Sequence, residues 1–157
     1  MTEASTESVE NCSWYEILPY AKTWFGFCTS SASYDQCMHL NKVPNHTPGV
    51  WLKHADGGMM SAFRTVEGRT VYLVSVDLIY KPGDPVLAAL LAHECIHAVQ
   101  ALWTDIGEEY PGREAEAYLL QYMLQFCLER YAERYAKKKK TKVAHKAYTD
   151  PVNLTQD

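Results

Sequence analysis

The stretch LAALLAHECIHAVQAL, residues 87–102, decides how the chain is read. Only His93, Glu94, His97 and Gln100 interrupt a run of apolar and small residues. A helix that is apolar nearly all round is a buried helix. Burying two imidazoles and a carboxylate costs free energy unless something compensates them. The spacing supplies a compensation. His93 and His97 are four apart and therefore lie on one helical face, one turn above the other. Two imidazoles so placed can bind one metal ion, and Glu94 on the adjoining face can reach a metal-bound water.

Around this helix the boundary signals are clear. KPGDP precedes it, with Asp84 as N-cap and Pro85 in the first helical position. The helix is expected to run to Trp103 or Thr104. Gly107, Pro111 and Gly112 then break the chain, and a second long helix is expected from Arg113 through the lysine run at 137–142. Upstream, GVWLKHA (49–55), MMSAFRTV (59–66) and RTVYLVSVDLIY (69–80) read as strands, the last two joined by a turn at Glu67–Gly68. In 69–80, Tyr72, Val74, Val76, Leu78 and Tyr80 form the more apolar face. These elements predict an α+β fold, a small antiparallel sheet of about three strands packed on the two helices. SWYEILPYAKTWFGF (13–27) fits either a short helix broken by Pro19 or two packed segments. The region 31–49 reads as irregular, with one helical turn near Tyr34 to Leu40. Residues 1–12 are expected to be flexible, 13–142 to form one domain, and 143–157 to be a weakly ordered tail.

The length suits one domain with a real core. A hydrophobic content of 47% with 22% charged residues is that of a soluble globular protein. The net charge of −4 argues against general nucleic-acid binding. Five scattered cysteines without a CxxC pair suggest a reduced chain in the cytoplasm. The polar, acidic start carries no secretory signal, and the apolar run at 86–92 is too short to span a bilayer.

A catalytic zinc site takes three protein ligands and leaves one position for water. The third is expected from REAEAY (113–118), as Glu114 or Glu116. These stand about 200° apart on a helix, so only one can face the metal. Ala117 and Tyr118, three and four residues after Glu114, favour Glu114: the alanine permits close packing and the tyrosine brings a hydroxyl near the site. Tyr118, Tyr110 and His54 are the candidates for stabilising an oxyanion. Cys95, about 200° from His93, reads as a core residue, and His39, His46 and His145 as ordinary histidines.

With HECIH on one helix and REAEAY on the next, the chain resembles the gluzincin type of zinc metallopeptidase. REAEAY is similar to the R-E-x-x-A-D stretch of membrane zincins that act in heat shock and prenyl processing. It is similar as well to the E-x-x-A-N stretch of cytosolic zincins that cleave phage-type repressors. In both frames the ligand glutamate maps to Glu114, while Tyr118 stands where those families have Asp or Asn. Short HExxH proteins of this size resemble metallopeptidases encoded by bacteriophages, which would place the chain in a host cytoplasm or a virion. The resemblance covers about residues 70–127. It implies a zincin-like fold, Zn2+ held by His93, His97 and Glu114, Glu94 as general base, and a protein or peptide substrate laid along a strand. A zinc-stabilised binding or structural module without turnover is the alternative. The residues point to no membrane or nucleic-acid partner.

Overall fold

The computed structural model describes residues 7–9, 12–18, 22–45 and 57–149. The strand expected at 49–55, with His54, and His46 lie outside the described residues, as does the side chain of His145.

Among the described residues, five strands and three helices make an α+β fold. The strands are β1 (Glu7–Val9), β2 (Cys12–Leu18), β3 (Thr23–Cys28), β4 (Gly58–Arg64) and β5 (Thr70–Val76). The helices are α1 (Ser31–Leu40), α2 (Pro85–Asp105) and α3 (Arg113–Thr149). One sheet has the order β1-β2-β3-β5-β4. All its pairings are antiparallel except β3 with β5, which run parallel.

The sheet is therefore larger than expected, and mixed. The added half comes from 13–27, which is not a helix broken by Pro19 but the second of the two expected forms, two packed segments, the paired strands β2 and β3. Its reading was obscured because both faces are covered. Trp14 and Trp24 point to one side, Tyr15 and Phe25 to the other, and all four are buried. A strand covered on both faces loses the alternation of polar and apolar residues that marks a half-exposed one. Within 1–12, Glu7–Val9 pairs with β2, and Cys12 begins that strand. The region near Tyr34 is a full ten-residue helix capped by Ser30, whose Oγ accepts the Ser33 N–H at 3.2 Å. At the other end, α3 continues to Thr149, past the tail boundary expected at Val143.

The sheet separates two apolar cores. Tyr15, Phe25, Phe27, Tyr72, Val74 and Val76 meet Leu87, Leu91, Ala98 and Leu102 of α2 and Met123, Cys127 and Tyr131 of α3. On the opposite face Cys12, Trp14, Trp24, Cys28, Val71 and Leu73 meet Tyr34, Cys37 and Met38 of α1. β5 lies between β3 and β4 with both faces buried, which suits its β-branched and aromatic residues.

α2 begins and ends on specific contacts. Asp84 Oδ1 accepts the Val86 N–H at 2.9 Å, and Pro85 opens the helix as expected. The Tyr131 hydroxyl of α3 holds the loop before it, accepting from Tyr80 N–H at 3.0 Å with the Tyr80 carbonyl also at 3.0 Å. Lys138 Nζ donates to the Leu78 carbonyl at 2.9 Å, so one member of the lysine run is structural. At the far end the Tyr72 hydroxyl donates to Asp105 Oδ2 at 2.6 Å. This contact and burial raise the Tyr72 pKa, burial being the larger cause. By length and composition α2 is apolar enough to cross a membrane, unlike the shorter run 86–92. In the fold its apolar side packs on the sheet and on α3.

Candidate metal centre

The two histidines of HECIH meet on the open face of α2. His93 Nε2 and His97 Nε2 are 3.1 Å apart, with their rings nearly perpendicular. Both side chains are exposed. His93, His97, Gln100 and Thr104 recur at helical spacing and form one exposed stripe. Glu94 is turned inward, 8% exposed, in line with Leu91 and Ala98 on the packed side.

The separation of the imidazoles can be tested against a metal. Two zinc–nitrogen bonds of 2.0–2.1 Å at a tetrahedral angle place their nitrogens about 3.3–3.4 Å apart. The observed 3.1 Å is a slightly closed version of that bite. The histidine pair therefore fits a zinc ion. The rest of the set does not assemble around it. Among the described residues no group of three or more His, Cys, Asp or Glu side chains is spaced to hold a metal.

The reason lies at the start of α3. Its inward stripe is Met123, Cys127, Tyr131 and Arg134, all buried. Followed back toward the helix start at the same spacing, that stripe passes through Leu120 and reaches Glu116, which is half-buried. Glu114 falls on the opposite stripe with Tyr118, Gln121 and Gln125, all exposed. Tyr118 is 65% exposed and Tyr110, in the loop, is more exposed still. Ala117 is exposed as well. The structure thus brings His93 and His97 together and, among the described residues, gathers no third metal-ligating side chain with them; Glu114, Tyr118 and Tyr110 are exposed. Glu116 instead lines a groove of about 520 Å³ with Gln100, Trp103 and Thr104 of α2 and Glu108 and Glu109 of the loop. Gln100 is the next position after His97 on the histidine stripe, so this groove is the direct continuation of the histidine face. The signal for Glu116 was present in the apolar period of α3.

The edge of the sheet comes close to the same helix. A Cβ added at Gly58 would stand 3.0 Å from Leu90 Cδ1, and Gly57 has φ +74°. Two glycines in succession let the chain turn and start β4 directly against Leu90, the residue three before His93. β4 is the last strand of the described sheet, and its residues are half-buried or exposed. β5 is closed off on both sides by β3 and β4.

Comparison with known proteins finds no family model, no curated protein and no solved structure that matches this chain.

Proposed function

We propose that the chain is a zinc metallopeptidase that hydrolyses a peptide bond in an extended protein or peptide segment. The observation that supports it is the pair of imidazole nitrogens 3.1 Å apart on HECIH, in a helix fixed at both ends. Zinc, when bound, polarises the scissile carbonyl and acidifies the attacking water. His93 and His97 hold the ion. Glu116 is the carboxylate we favour as third ligand over Glu114, because it shares the groove with Gln100 on the histidine stripe. Glu94, the residue after His93 and turned inward in this structure, would serve as general base once zinc is bound, taking a proton from water and passing it to the departing amine. β4, the last strand of the sheet among the described residues, is the strand we assign to pair with the substrate backbone, in the manner of strand addition. The resemblance to gluzincins supports the same assignment through HECIH and the carboxylate helix behind it.

Zinc content by elemental analysis, followed by cleavage of a proteome-derived peptide library, tests this reading. Wild-type protein should bind one zinc and cleave. Glu94→Gln should retain the zinc and lose cleavage by about 10³-fold or more, the scale expected when a general base is removed. His93→Ala should lose both. Stoichiometric zinc without cleavage in the wild type would leave a metal-stabilised binding module, and no zinc at all would sink both readings.

A further inference from the structure

Three of the five cysteines, far apart in sequence, meet in the core beneath α1. Cys12 and Cys28 are direct partners across the antiparallel β2–β3 pair. Directly opposed residues have Cα atoms about 4.5–5.5 Å apart, inside the 4.4–6.8 Å range that a disulfide spans. Cys37, presented by α1, lies in the same buried cluster as Cys12 and Cys28. All three are buried and all are free thiols. They do not form a metal-holding group.

A buried cation stands at the same end of the hairpin. Arg134 of α3 is 6% exposed. Its Nη2 donates to Ser13 Oγ at 2.7 Å and its Nη1 to the Phe27 carbonyl at 3.2 Å, and its guanidinium lies over the Phe27 ring. Ser13 and Phe27 are the chain neighbours of Cys12 and Cys28, so the guanidinium reaches the thiols through the sheet from its other face. No ion pair to a carboxylate joins Arg134 among the described residues. The groups that act on its charge favourably are Cys12, Cys28 and Cys127. An unpaired buried cation is costly, and a nearby thiolate reduces that cost.

We propose that Cys28 and Cys12 form a hydroperoxide-sensitive dithiol, in which Cys28 is the attacking sulfur, Cys12 resolves it, and Arg134 is the electrostatic partner of Cys28. Burial raises the pKa of Cys28, but the Cys12 hydrogen bond, backbone hydrogen bonds at Ser30 and Thr29, and the charge of Arg134 outweigh it and bring the group below its ordinary value. The Cys12 pKa is raised, first by interaction with Cys28 and Cys37 and then by burial. Cys12 and Cys28 are both fully buried, so the oxidant must be small, and hydrogen peroxide is close to water in size. The Cys28 thiolate attacks one peroxide oxygen, the O–O bond breaks, and the departing hydroxide takes a proton to leave as water. The Cys12 sulfur then attacks the Cys28 sulfenic acid, forming the S–S bond. The sulfenic hydroxyl leaves with the Cys12 proton as a second water. In sum, two thiols and one hydrogen peroxide give one disulfide and two waters.

The product ties the two strands of the hairpin at its open end. Cys95 and Cys127, whose sulfurs are 3.9 Å apart between α2 and α3, provide an internal control. Cys127 is fully buried and its pKa is raised well above the ordinary value, with burial as the first cause. It is expected to stay a thiol.

Treating the native full-length chain with hydrogen peroxide and mapping the product by mass spectrometry decides the matter. The expected result is a Cys12–Cys28 link with Cys95 and Cys127 still reduced. Cys12→Ser should stop the reaction at a Cys28 sulfenic acid that a dimedone-type reagent traps, and Arg134→Gln should slow oxidation about tenfold or more, equivalent to a one-unit shift of the thiol. The conservative Arg134→Lys should recover much of the rate while its thermal stability is followed separately. A Cys12–Cys37 or Cys95–Cys127 link as the main product, or native thiols that react no faster than those of Cys127, would overturn the proposal.

Discussion

The two long helices that frame the candidate site are held in different ways. α2 is tied at its start by Asp84 and by the Tyr131 hydroxyl on the preceding loop, and at its end by Tyr72. The first turns of α3, by contrast, are nearly all exposed, and Glu116 touches α2 only across an open groove. The histidine half of the site is built in advance by the core. The carboxylate half stands on a part of the chain with few buried contacts, which is where local opening is easiest. A metal that draws Glu116 in would be ordering the start of α3 rather than reshaping α2.

The largest expected effect breaks the firm side of this contrast. Leu91→Ala, beneath the HECIH turn, should cost about 2–5 kcal/mol in denaturant unfolding. It should lower zinc binding along with stability, and unchanged stability would mean α2 is not the fixed partner. Next in size is zinc itself. At a hundred times its dissociation constant it should add about 2.7 kcal/mol to unfolding. Hydrogen exchange should slow mainly over 106–118, and protection spread evenly over α2 would contradict the picture. Tyr131→Phe follows, with an expected loss of about 1–3 kcal/mol from an unpaired Tyr80 N–H. Calorimetry would register this as a melting point lower by several degrees, and exchange in 77–84 should rise with it. The smallest effect belongs to Glu114→Ala, within about 0.5 kcal/mol of wild type and with zinc affinity unchanged. A large loss of zinc there, with none for Glu116→Ala, would restore Glu114 as ligand.

What could be read from the sequence follows the range of the forces involved. Asp84–Pro85 and the breaks at Gly107, Pro111 and Gly112 are local signals, and α2 and α3 begin where those signals place them. The HECIH pairing of imidazoles is equally local, fixed by one helical turn. The β2–β3 hairpin was hidden because Trp14, Tyr15, Trp24 and Phe25 are buried on both faces, leaving no period of two. The half-buried position of Glu116 follows from the spacing of Leu120, Met123, Cys127 and Tyr131, whereas Glu114 lies off that stripe. The Cys12–Cys28–Cys37 cluster could not be read at all. It depends on strand register and on where α1 lands, and neither leaves a mark in residue spacing.

The single parallel pairing in the sheet, Thr23 with Thr70 through Cys28 with Ser75, has a consequence for how the chain reaches its fold. The β2–β3 hairpin and the β4–β5 hairpin can each close locally, but neither is covered until they are joined side by side. That joining closes a long loop before it gains any buried surface, and contacts of this kind set slow folding rates. The docking of two hairpins is then the step that limits assembly. Substitutions along the β3–β5 seam, such as Leu73→Ala, should slow refolding, while those confined to α1, such as Met38→Ala, should chiefly hasten unfolding.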